Sequence, residues 1–254
     1  MTDPLVVSIG TTHPWNIAGV GLDAHVVAEH RLSHAMAIAA VSAQDAQGLH
    51  ALHVVPPDAL RAQLQCLPDE VAAFRVGALV SSQSVRIVAA YLCERAHRVP
   101  VVIDPVLSVT LGGEMRASDD LVETLRDELL VLPLIVTPNL DEAAAFFGQD
   151  VRDLPAMRAA AQAFVARGVR AALIKGGHLD GHPADVLATG DGVQTYTGGR
   201  LNGAMRGSGC TLAAALACEL ALGRDVRSAT ASARAYVRAK IAGGKTRAGL
   251  QVAF

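Results

Sequence analysis

Short runs of Val, Leu and Ile alternate along the chain with longer stretches in which apolar residues recur every three or four positions. Unbroken or alternating apolar runs mark strands, whereas the wider spacing marks one face of a helix. Leu5–Ile9 reads as a buried strand, followed by an irregular stretch holding Gly10, Pro14, Gly19 and Gly21. Ala37–Val41 reads as a second strand. Leu60, Leu64 and Leu67 share a helical face, Phe74–Val76 is a strand, and Val85, Val88 and Leu92 mark another helix capped by Ser82 or Ser84. Val101–Ile103 is the clearest strand, three β-branched residues entered through Pro100 and stopped at Asp104-Pro105.

The alternation continues to the end. Ser118 caps a helix through Leu121, Leu125 and Leu129, Leu134–Val136 is a strand, and Asn139 opens the next helix. A helix runs from Asp153 to Gly168, and Ala171–Ile174 is a strand. Asp185–Leu187 and Val193–Thr197 form a hairpin through Thr189-Gly190-Asp191-Gly192. Two alanine-rich helices follow, near Thr211–Leu222 and Val226–Ala242. Strands bounded by helices in this order predict right-handed crossovers and a largely parallel sheet covered on both faces. No linker, repeat or low-complexity tract interrupts residues 1–254, which read as one α/β domain. Ligands of such sheets collect beyond the carboxyl ends of the strands. Residues just after strands therefore carry the most information.

Composition adds exclusions. The 254 residues carry 22 Lys and Arg against 24 Asp and Glu, a net charge of −2, so no basic excess points to nucleic acid or a membrane surface. Cys66, Cys93, Cys210 and Cys218 form no CxxC pair, and the 9 histidines have no metal-ligand spacing. Met1-Thr2-Asp3-Pro4 has no basic region leading into a long apolar stretch, and no stretch approaches a membrane span, so a cytoplasmic location is expected.

Four segments could carry chemistry. Arg206-Gly207-Ser208-Gly209-Cys210-Thr211 opens a long alanine-rich helix. Glycines let backbone amides face a guest and the helix start adds partial positive charge, so the turn suits a transferring phosphoryl group. Cys210 would have its thiolate stabilised there and could take a proton from an attacking alcohol. The structural alternative is a tight glycine turn with Cys210 as a small apolar residue. Asp104, directly after a strand, could order Mg²⁺ or phosphates, although Asp before Pro is also ordinary turn chemistry. Asn139 and Glu142 in Thr137-Pro138-Asn139-Leu140-Asp141-Glu142 have the spacing of a reciprocal cap, and could also lie beside nucleotide phosphates and a metal ion. Lys175-Gly176-Gly177-His178 leaves a strand and offers a charge and close backbone approach, or simply a solvated loop. Gly244-Lys245-Thr246 imitates the end of a phosphate loop, but Ala239 stands where its first glycine belongs.

The order of these elements resembles the hydroxymethylpyrimidine and phosphomethylpyrimidine kinase family of thiamine biosynthesis, within the ribokinase-like superfamily. Asp-Pro-Val, Thr-Pro-Asn-x-x-Glu-Ala, Lys-Gly-Gly-His and Gly-Ser-Gly-Cys-Thr-Leu follow one another, and the likeness runs nearly end to end. The resemblance implies a three-layer αβα sandwich with a mainly parallel sheet and an edge hairpin. It implies ATP- and Mg²⁺-dependent phosphorylation of 4-amino-5-hydroxymethyl-2-methylpyrimidine and then of its monophosphate, by a homodimer. On the family pattern Gln44 hydrogen-bonds the pyrimidine, and Gly10, Ala18, Ala78 and Val106 line its pocket. Asn139, Lys175, Gly177 and Ser208 match the nucleotide side, Asp104 and Glu142 the metal. Gly207, Gly209, Cys210 and Lys175 match the catalytic group.

Departures gather at the acceptor side. The first loop, Gly10-Thr11-Thr12-His13-Pro14-Trp15-Asn16-Ile17-Ala18-Gly19, is one residue longer than the family's and lacks its aspartate and paired glycines. Ala78 replaces a methionine in Arg75-Val76-Gly77-Ala78-Leu79, where the family reads like Lys-Ile-Gly-Met-Leu; Leu111-Gly112-Gly113 replaces Ser-Gly-Asp, and Arg206 replaces a histidine. Two rivals follow: a pyridoxal or related small-alcohol kinase, and a ligand-binding regulator that has lost catalysis.

Overall fold

Strand β1 (Leu5–Thr11) is an interior strand of a nine-stranded sheet, and its middle residues are buried throughout. A computed structural model describes residues 3–109, 115–116, 119–177, 179, 182–203 and 205–254. The chain continues through α1 (Gly19–Glu29), β2 (Ser33–Gln44), β3 (Leu49–Val54), α2 (Pro57–Gln65), β4 (Ala73–Val76), α3 (Ser82–Leu92) and β5 (Val101–Ile103). A short pair, β6 (Ser108–Val109) and β7 (Met115–Arg116), precedes α4 (Asp119–Thr124), which runs on as a π-helical turn over Leu125–Leu129. Then come β8 (Ile135–Val136), α5 (Leu140–Phe147), α6 (Leu154–Ala166), β9 (Ala171–Gly176), β10 (Ala184–Thr189) and β11 (Gly192–Thr197). Helices α7 (Ser208–Ala221) and α8 (Val226–Ala242) and the ribbon β12 (Lys245–Arg247)–β13 (Leu250–Val252) follow.

The sheet order is β11-β10-β9-β8-β5-β4-β1-β2-β3. The six strands from β9 to β2 are mutually parallel, and the expected hairpin β10–β11 closes one edge antiparallel to β9. The opposite edge is also antiparallel, with β3 folded back on β2. One face packs on α2 to α6 around Phe74, Leu92, Leu134 and Phe164, and the other on α1, α7 and α8. Helix α7 buries ten consecutive residues, Thr211–Leu220, a pattern that suits a helix enclosed on all sides. Its alanines allow close approach to β4, β5 and α8. Among the described residues, no helix is long and apolar enough to cross a membrane.

Several expectations need correction. The first loop turns directly into α1, with no sequence cap, since Ala18 occupies the cap position without a side-chain bond. Ser81 caps α3, rather than Ser82 or Ser84: its Oγ accepts the Ser84 amide at 3.1 Å. Leu67 lies beyond the end of α2, although it still packs on the core. Ser118, Leu111-Gly112-Gly113 and His178 fall outside the described residues.

Candidate active site

The ends of two strands and the start of a helix bring three charged side chains together. β5 ends at Ile103 and delivers the buried Asp104, and Lys175 on β9 reaches across to it. Lys175 Nζ donates to Asp104 Oδ1 at 2.6 Å and stands 3.9 Å from Glu142 Oε2. Glu142 is held by the start of α5. Asn139 Oδ1 accepts the Glu142 amide at 2.8 Å, and Glu142 Oε2 accepts the Asn139 amide at 2.7 Å, so the expected reciprocal cap forms. Asn139 also bridges to Lys175 in β-register, and the Lys175 amide donates to Pro138 at 2.8 Å. The cap and the site are therefore one structure.

Burial opposes charge on all three groups, and their mutual fields decide the outcome. Burial raises the Asp104 pKa, but Lys175 and then Arg75 outweigh it and hold the carboxyl below its ordinary range. Lys175 is lifted above its ordinary range, because Asp104 and Glu142 overcome its desolvation. Glu142 is pushed up to about 7 by burial, with Asp104 adding to the push and Lys175 opposing it. One lysine thus satisfies the nearer carboxylate and leaves the farther one short of positive charge.

That shortfall fits a divalent ion. Mg²⁺ takes few carboxylates and keeps water or phosphate oxygens for its other positions. Asp104 and Glu142 are both hard oxygen donors, and among the described residues no cluster of three or more His, Cys, Asp or Glu side chains exists to make a fuller cage. A nucleotide-borne cation suits this pair better than a resident structural one.

Cys210 sits in the first turn of α7 and also lies near the first residue of α1, whose Gly19 amide favours its thiolate. Two helix starts therefore face one thiol. Gly207, just before α7, has φ +78°, and a Cβ there would lie 2.1 Å from the Ile17 carbonyl oxygen. Only glycine permits this contact between the α7 turn and the first loop. Gly209 faces the charged cluster, for a Cβ would come within 3.1 Å of Lys175 Nζ. Ser208 is the first, half-buried residue of α7, and Gly177 is exposed after β9. The expectation of a stabilised thiolate is not met at rest: burial pushes the Cys210 thiol up, and Arg75 only partly counters it.

Gly10, Ala18, Ala78 and Gln44 lie in or beside the first loop, whereas Val106 lies in the turn after β5. Gly10, next to last in β1, packs against Gly77, and Thr11 Oγ1 donates to the Ala78 carbonyl at 3.0 Å. Ala18 opens α1, and Val106 is half-buried in the turn after Asp104, its amide bonded to the Asp104 carbonyl at 2.8 Å. Gln44 Nε2 donates to Ser42 Oγ at 2.8 Å, and Ser42 in turn donates to the Thr12 carbonyl at 2.5 Å. The end of β2 is thereby tied to the loop. Trp15 is half-buried, its amide donating to His13 Nδ1 at 3.0 Å. His13 is buried and neutral, with its pKa lowered to about 4 by desolvation and then by Arg206.

The family model for phosphomethylpyrimidine kinase matches residues 15–252. The chain belongs to that family. A hydroxymethylpyrimidine/phosphomethylpyrimidine kinase of Streptomyces coelicolor is 36% identical over 96% of this chain and 91% of its own length. Among solved structures, an ADP complex of Bacillus subtilis pyridoxal kinase superposes with a TM-score of 0.90 at 25% identity, covering 99% of this chain and 97% of that one. A phosphomethylpyrimidine kinase from Clostridium difficile superposes with a TM-score of 0.83 at 23% identity, covering 94% and 99%. The fold of this phosphomethylpyrimidine kinase family member is thus the ribokinase-like sandwich expected from its motifs.

One polar residue of the site escaped sequence reading. Arg75 on β4 is fully buried and lies 3.5 Å from Asp104 Oδ2. A lone cation in an otherwise apolar strand was its signal.

Proposed function

We propose that the protein transfers the γ-phosphoryl group of ATP to the primary hydroxyl of 4-amino-5-hydroxymethyl-2-methylpyrimidine, and then to its monophosphate. The observation that carries the reading is the meeting of two helix starts at Cys210, beside the Lys175–Asp104 pair. Phosphoryl transfer needs position and charge stabilisation more than covalent help from the protein. Backbone amides of the Gly207–Cys210 turn supply stabilisation for the migrating charge, and Lys175 neutralises phosphate oxygens. Asp104 and Glu142 would hold Mg²⁺, which when bound offsets phosphate charge. Gln44 reads the pyrimidine edge and Gly10, Ala18, Ala78 and Val106 form the wall around it, with Asn139, Gly177 and Ser208 on the nucleotide side. The hydroxyl proton passes to the Cys210 thiolate, a form that Arg75 and the two helix starts favour against burial.

The similarity to the Streptomyces kinase supports the pyrimidine acceptor. A second reading, pyridoxal as acceptor, draws on the closer superposition with the Bacillus enzyme and on the altered first loop. ADP release measured with the pyrimidine alcohol, its monophosphate and pyridoxal separates the two. Turnover of pyridoxal alone would overturn the first reading, and no acceptor-dependent ADP would favour a non-catalytic binder. A single domain over residues 1–254, a homodimer and a cytoplasmic location complete the proposal.

A further inference from the structure

Among the described residues, Arg75 is the largest side chain that the fold buries completely. In β-register it stands beside Ser8 of β1 and Val102 of β5, and alternation puts Ser8, Arg75 and Asp104 on the sheet face that looks toward α1 and α7. Its guanidinium lies between two carboxylates, with Nη1 3.3 Å from Asp23 Oδ2 on α1 and Nη2 3.5 Å from Asp104 Oδ2. Room for it comes from a glycine: a Cβ on Gly77 would sit 2.1 Å from Arg75 Nη1. Cys210 lies close enough to Arg75 and Asp104 to feel the charge of both. Desolvation works against the cation, but Asp23 and Asp104 together keep it charged.

A buried cation with two carboxylates is no stability device by default, since an apolar trio of equal volume often serves as well or better. Its placement has a different consequence. Asp104 has two oxygens, and Lys175 holds one of them at 2.6 Å while Arg75 faces the other. A carboxylate fixed from both sides cannot rotate about its last bond. The same guanidinium lies near Cys210, so one planar group can set the relation of the lysine-bound carboxylate to the thiol.

We propose that Arg75 is a positioning residue for phosphoryl transfer: anchored by Asp23, it fixes the Asp104 carboxylate and the Cys210 sulfur relative to one another. This rests on the kinase reading above for its kinetic consequences but not for its geometry. Removing Arg75 alone would strand Asp23, both of whose oxygens are buried, so the informative variant removes the pair. Arg75→Met/Asp23→Leu is expected to fold, to keep KM for ATP and for the alcohol within about threefold, and to lose about 100-fold in kcat, the scale of a small misplacement of reacting groups. Arg75→Lys, which keeps a cation facing Asp104, is expected to recover kcat to within about tenfold of the parent. If the apolar pair does not fold, Arg75→Gln/Asp23→Asn takes its place with the same expectation.

Crystal structures of the parent and the paired variant give a readout that needs no acceptor. The separation of the Asp104 carboxylate and the Cys210 sulfur should change between the parent and the variant. Unchanged kcat in the paired variant, or a drop in melting temperature with normal kinetics, would overturn the proposal, as would an Asp104 and Cys210 that do not move. Should the parent phosphorylate none of the tested alcohols, the kinase reading fails, and the crystal structures still decide the role of Arg75.

Discussion

Replacing Glu142 with Gln turns the unbalanced charge of the site into a measurable slope. Glu142 is buried, and its pKa rises from 4.5 to about 7 on folding. A carboxyl with a raised folded pKa favours the folded state while protonated. That contribution is complete below 4.5 and is lost as the pH climbs through about 7. Gln cannot ionise, and it still suits the third position of the α5 cap. At about 1.4 kcal/mol for each pH unit between the unfolded and folded pKa, the wild type should lose about 3 kcal/mol relative to Glu142→Gln between acid and mildly alkaline buffer. For a chain of this size that corresponds to about 6 °C in melting temperature. The lost second acceptor of the carboxylate adds a constant offset, so the slope is the quantity to read. Calorimetry or dye-based melting without nucleotide or metal, run from about pH 4 to about pH 8, measures it. A melting difference constant to within about 1 °C over that range would refute the charge imbalance.

Three further outcomes are expected. Cys210→Ala should lower kcat by at least about 100-fold while leaving ATP affinity nearly unchanged, as checked by turnover and calorimetric titration. Equal turnover would remove Cys210 from proton transfer. Gly209→Ala puts a methyl group 3.1 Å from Lys175 Nζ, so the flexible lysine end must shift. The fold should survive, with kcat down by about tenfold in a steady-state assay. Leu216→Ala, at a fully buried site of α7, should cost about 3 kcal/mol in urea unfolding and leave KM values unchanged.

What was legible in the sequence depended on which interactions were local. β5 announced itself through Val101-Val102-Ile103, and the hairpin β10–β11 through its glycine turn, because strand propensity and turn chemistry act within a few residues. The Asn139–Glu142 cap is likewise local, at a spacing of three. Helix α1 was missed because Gly19, Gly21 and a cap position held by alanine hide its start. β3 was missed because its side chains are mostly exposed and two histidines break its apolar rhythm. The Gly207–Cys210 turn was visible as a motif, but its contacts with Ile17 and Gly19 were not, since they join segments far apart in the chain. Arg75 was hidden for the same reason: Asp23 and Asp104 lie on other elements, and no spacing pattern connects them.

The terminal ribbon β12–β13 has a bearing on biosynthesis. Met205 bridges to Gln251, the Arg206 amide donates to the Gln251 carbonyl at 2.8 Å, and Arg247 donates to the Trp15 carbonyl at 3.2 Å. Residues 245–252 therefore splint both the first loop and the approach to α7. On the ribosome all nine strands of the large sheet are translated before this splint emerges. The large sheet can accordingly pair all of its strands before the first loop and the approach to α7 are tied together.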